Sequence, residues 1–89
     1  MTQTQIAAIL KEMYSTAPVG EKTVRIHLFG IIFAKEIKDN KYRLADIIRI
    51  SGLKESQAVE ISAGIKLSQY VDAKSSILTK YIPSLPESL

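Results

Sequence analysis

His27 is the only histidine of the chain, and it stands inside the apolar run VRIHLFGIIFAKEI at residues 24–37. An imidazole can bind a metal or move a proton near neutral pH, but both tasks need partners: further ligands, or an acid that orients the ring. The sequence supplies no second histidine, no cysteine and no carboxylate pair at supporting spacing. His27 therefore reads as a packed, hydrogen-bonded residue of a helix bundle, and neither a metal nor a cofactor is expected. The serines form no G-x-S-x-G elbow, and no Gly-rich phosphate loop is present. The chain reads as a binding protein and not an enzyme. What remains is recognition by charge. Lys35, Lys38, Lys41 and Arg43 make the densest positive cluster, around the polar connector KDNKYR, although Glu36 and Asp39 dilute it. Such a loop can hold a phosphate backbone, or it can simply be solvated.

The element that would bring that loop to a nucleic acid is the stretch Leu44 to Val71. Leu44, Ile47 and Ile48 recur at three and four residues and so share one buried helix face. Gly52 follows, where a short helix commonly ends in a left-handed conformation that glycine adopts cheaply. Leu53 plugs the corner, and Ala58, Ile61 and Ile65 make the inner face of a second, longer helix. The pattern predicts a helix-turn-helix. Two positions depart from the DNA-binding form: Ile48 is larger than the alanine usual there, and Ala58 is smaller than the usual valine or isoleucine. Their volumes compensate.

With Ile61 and Ile65 inward, Ser56, Val59, Ala63, Lys66 and Tyr70 fall on the outer and adjoining faces. The expected groove-facing set is Lys54, Ser56, Gln57, Val59, Glu60, Ala63 and Lys66, with Lys38, Lys41 and Arg43 on the phosphate backbone. Glu55 and Glu60 oppose this reading, as does the lack of any arginine in the helix to take a guanine edge. The face is nearly neutral and suits a protein partner as well as duplex DNA. Gly64 leaves open whether the last helix continues beyond it.

The flanking elements follow from pattern. Thr4 to Tyr14 reads as an amphipathic helix on Ile6, Ile9, Leu10 and Met13, with Thr2 and Gln5 at capping-box spacing. Pro18 breaks it. Glu21 to Ile37 reads as a second helix, with a strand as competitor, because Val24, Leu28 and Ile31 lie on one side and Ile26, Phe29, Phe33 and Ile37 on another. So wide an apolar arc must be central or must face another subunit. Gly30 implies close approach of a neighbouring helix. After Val71 the tail DAKSSILTKYIPSLPESL alternates apolar and polar residues around Pro83 and Pro86, which predicts an extended arm with a possible strand at Ile77 to Ile82.

Composition sets the bounds. Eighty-nine residues make one small domain, and 46% hydrophobic content is enough to fold it. A net charge of +3 permits a polyanion partner without demanding one. No apolar run reaches membrane-span length, and the start MTQTQIAAILKEMY lacks a signal peptide's basic region and cleavage site, so a cytoplasmic location is expected.

Three segments together resemble a known family: IHLFG at 26–30 followed by Ala34, then the turn IRISGL at 48–53, and finally Glu60, Ile61, Gly64, Lys66, Leu67, Tyr70 and Val71. Over residues 6–71 they resemble small bacterial helix-turn-helix-like domain proteins. The resemblance implies a compact helical bundle and, by analogy, nucleic-acid or regulatory work. The sequence thus predicts an all-α bundle of about four helices at residues 1–72, with a C-terminal arm at 73–89. A homodimer is expected. The leading function is a small DNA-binding regulatory or accessory protein. The alternative is a protein-interaction module that uses the last helix and the arm.

Overall fold

A computed structural model of the chain describes residues 1–82. Helix α1, Gln3–Ser15, begins at the expected capping box: Thr2 Oγ1 accepts from the Gln5 amide at 3.1 Å, and Gln5 Oε1 accepts from the Thr2 amide at 2.8 Å. It buries Ile6, Ala7, Leu10 and Met13. Pro18 then opens a turn closed by the Glu21 amide on the Pro18 carbonyl at 3.0 Å, with Gly20 at φ +86° supplying the left-handed residue that the turn needs.

Helix α2, Lys22–Asp39, is the helix and not the strand that its β-branched content allowed, and it is central. Ile26, Phe29, Phe33 and Ile37 are buried, while Leu28 and Ile32 are half-buried against the same core. The Phe29 and Phe33 rings pack tilted, 5.1 Å apart. Val24 does not join them and stays 56% exposed. The helix ends in a double reversal: the Lys41 amide donates to the Lys38 carbonyl and the Tyr42 amide to the Ile37 carbonyl, with Lys41 at φ +56°. This is the Schellman arrangement, built here on a lysine where glycine is usual.

Helix α3, Leu44–Ser51, buries Ile47, Ile48 and Ser51 and stops at Gly52, whose φ of +79° is the predicted left-handed cap. The second helix does not begin directly after it. Leu53 lies outside any helix, Lys54 is extended, Glu55–Gln57 form a single 3-10 turn, and only then does helix α4 run, Ala58–Leu67. It passes through Gly64 without a break and ends at Leu67, short of the expected Val71. The tail is also corrected. Ser75–Tyr81 form helix α5 in place of an extended strand, because no proline falls within these residues and Ile77 and Tyr81, four apart, reach the bundle together. Residues 83–89, the rest of the expected arm, lie outside the described residues.

The packing order is simple. Helix α2 lies against α1 on one side and against α4 on the other, and α1 also covers α3. One core, built from Ile6, Leu10, Met13, Ile26, Phe29, Phe33, Ile47 and Ile61, runs through the middle.

Candidate nucleic-acid interface

Helix α4 is held by a close crossing over α2. A Cβ at Gly30 would lie 2.6 Å from the Ile61 carbonyl and 2.8 Å from Gly64 Cα, and a Cβ at Gly64 would overlap the His27 carbonyl. Two glycines therefore let the backbones touch, which is why neither ends its helix. Beside the crossing, His27 Nε2 lies 2.8 Å from Glu60 Oε1, with both side chains about one-third exposed. His27 is thus the packed, hydrogen-bonded residue expected, and its partner is a carboxylate thirty-three residues away that no local pattern points to.

This pairing bears on the outer face. Glu60 turns towards α2, where its Oε1 meets His27, while about one-third of its side chain stays exposed. Gln57 is also turned in, where its Nε2 donates to the Tyr14 hydroxyl at 3.0 Å and ties the start of α4 to the end of α1. Of the expected groove-facing set, Lys54, Ser56, Val59 and Lys66 are exposed and Ala63 is half-buried. Turning Glu60 towards α2 leaves that face less acidic than the sequence implied. Glu55 remains exposed in the first turn.

Lys38, Lys41 and Arg43 are exposed, and among the described residues none has a carboxylate within salt-bridge distance. They do not sit beside the start of α4. Arg43 precedes α3 and Gly52 follows it, so about 12 Å of helix separates the basic loop from the turn. Arg49, on the same helix, is paired with Asp46 at 3.4 Å. The Tyr42 hydroxyl anchors the basic loop to the Met1 carbonyl at 2.9 Å.

Three features were not visible in the sequence: the His27–Glu60 pair, the Gln57–Tyr14 tie, and Lys22, whose Nζ lies 4.6 Å from the Tyr14 ring centre and donates to the Tyr14 carbonyl. The first two join residues thirty-three and forty-three apart in the chain, and the third reaches across the turn at Pro18. Among the described residues no three of His, Cys, Asp and Glu come together to hold a metal ion, and no helix is long and apolar enough to cross a membrane.

No curated protein and no solved structure matches the chain significantly. Residues 2–74 match the model of a family described as an HTH-like domain, a span that contains α1 to α4 and the turn at Gly52. With its short α3, left-handed glycine cap and α4 seated across a two-glycine contact, the chain belongs to the HTH-like domain family.

Proposed function

We propose that this protein is a small, non-enzymatic DNA-binding regulatory or accessory protein that works in the cytoplasm as a homodimer. The observation that carries the reading is the α3–Gly52–α4 unit, which leaves Ser56 exposed in the 3-10 turn before α4 and Val59 and Lys66 exposed on α4 itself. Such a face can enter a major groove, where Ser56 and Lys66 meet base-edge acceptors and Val59 meets a thymine methyl. A dimer would place two such faces on a two-fold symmetric site.

The test is equilibrium binding of the pure protein to a randomised duplex pool at low and near-physiological salt, followed by selection of the bound fraction. A retained, enriched and two-fold symmetric motif is expected. Binding that vanishes with salt and enriches nothing would remove the regulator reading. Sedimentation equilibrium checks the dimer independently.

A second reading, a protein-interaction module, is favoured by the apolar character of the same side. Val59 is 65% and Tyr70 81% exposed, and Leu67 and Val71 are also exposed. Scattered apolar side chains are ordinary on a surface, but four on one short helix and the turn after it suit a partner. Tyr70→Ser with Val71→Ser should then abolish partner capture while leaving DNA affinity untouched.

A further inference from the structure

We propose that the cleft between the end of α1 and the α3–α4 turn holds a phosphate of the duplex backbone, with Lys11 and Lys54 as the two cations that grip it. The proposal deepens the DNA-binding reading and rests on it. It also moves the expected backbone contact away from the loop at Lys38, Lys41 and Arg43.

The cleft has a volume of about 280 Å³ and is lined by residues of three segments: Lys11, Tyr14 and Ser15 from α1, Ser51 and Gly52 at the cap of α3, and Leu53, Lys54 and Gln57 leading into α4. Two of these are lysines and none is acidic. Both lysines are exposed, and among the described residues neither has a carboxylate within salt-bridge distance. The acids next to the two lysines in sequence, Glu12 and Glu55, do not line the cleft, and Glu55 lines a separate hollow with Asp46 and Arg49. Two lysines in a lining that also includes Leu53 and Tyr14 form a site that favours a compact anion, since low-dielectric walls strengthen the attraction.

The cleft is also held in shape. Gln57 Nε2 donates to the Tyr14 hydroxyl at 3.0 Å, which fixes the start of α4 to the end of α1. Ser51 Oγ donates to the Ile48 carbonyl and accepts from the Leu53 amide, so the turn beneath the cleft is internally satisfied. Lys22 is occupied with the Tyr14 ring and carbonyl and stiffens the same wall. Only the two rim lysines are left to reach outward.

Position selects the duplex as the occupant. Lys54 lies four residues before α4 begins, so whatever the amino-terminal half of α4 enters must pass its flank beside this cleft. In a major groove the structure at that flank is the sugar-phosphate backbone, and its charge complements the rim. Lys38, Lys41 and Arg43 lie a helix length away, at the opposite end of α3.

The experiment measures the salt dependence of binding to a fluorescein-labelled random-sequence duplex for four proteins: the unaltered chain, Lys11→Gln with Lys54→Gln, Lys11→Arg with Lys54→Arg, and Lys38→Gln with Lys41→Gln and Arg43→Gln. Each phosphate contact contributes roughly 0.9 to the slope of log K against log salt. The Lys11/Lys54 variant should lose roughly two units of slope, and Lys11→Arg with Lys54→Arg should restore them. The loop variant should change the slope less than the cleft variant does. If the unaltered chain binds and the cleft variant keeps its full slope, the cleft proposal is overturned while the DNA reading stands. If the unaltered chain does not bind duplex at any salt, both fall together. Circular dichroism of each variant confirms that these surface changes leave the fold intact.

Discussion

His27 and Glu60 are joined by one part-buried contact of 2.8 Å between α2 and α4. Charge-assisted bonds of this kind contribute more than neutral ones, but solvent reduces the gain at about one-third exposure. A double-mutant cycle of His27→Ala and Glu60→Ala should return a coupling of roughly 0.5–1.5 kcal/mol in urea unfolding. A coupling of zero would mean that the pair is incidental. Lys41 offers a second test. Its φ of +56° costs a lysine about 1–2 kcal/mol that a glycine would not carry. Lys41→Gly should therefore raise the urea midpoint, although glycine's added freedom in the unfolded chain offsets part of the gain. A lowered midpoint would show that the lysine side chain itself stabilises the loop.

Helix α4 owes its position to Gly30 and Gly64, and the two substitutions should act on that element and not on propensity. Alanine normally favours a helix over glycine by about 1 kcal/mol. Here the added carbon would meet backbone, which cannot rotate away: the Ile61 carbonyl at 2.6 Å for Gly30, and the His27 carbonyl for Gly64. Gly30→Ala and Gly64→Ala should each destabilise by about 1–3 kcal/mol or more despite the better helix former. Thermal unfolding followed at 222 nm would measure it. A gain in stability for either would disprove the close crossing. Gly52→Ala should cost less, about 1–2 kcal/mol, because its Cβ would meet open space and only the left-handed backbone resists.

Across the whole molecule, α5 is the lightly attached part. It reaches the body through buried Tyr81, half-buried Ile77 and Ile82, and the Arg25 Nη1 to Tyr81 hydroxyl bond at 3.0 Å. Arg25 donates also to the Met13 carbonyl at 3.2 Å, so one guanidinium gathers α1, α2 and α5. Tyr81→Phe should cost about 1 kcal/mol, and a chain of residues 1–74 should still fold with a lower melting temperature. The eight largest fully buried side chains all come from α1 to α4, which is why that outcome is expected. Loss of cooperative unfolding in the truncated chain would show that α5 is integral to the core.

The sequence by itself determined the helices and the turn, because those are local physics. The capping box of Thr2 and Gln5, the break at Pro18, the stripe of Ile47 and Ile48, and the cap at Gly52 each act within a few residues, and each is seen where the spacing places it. It also implied that α2 must be central or face another subunit and that Gly30 must admit a neighbour, since a wide apolar arc and a helical glycine have few other uses. Tertiary structure decided which side chains are free. Glu60 and Gln57 share the outer register of α4 by periodicity, yet His27 and Tyr14 claim them through contacts of thirty-three and forty-three residues' separation. Lys11 and Lys54 are likewise brought to one cleft only when α1 closes over the turn. The tail escaped because its prolines suggested extension, whereas its apolar residues found a site on a core that other helices build. Periodicity tells a helix which face to bury, but only its neighbours decide what the remaining face can do.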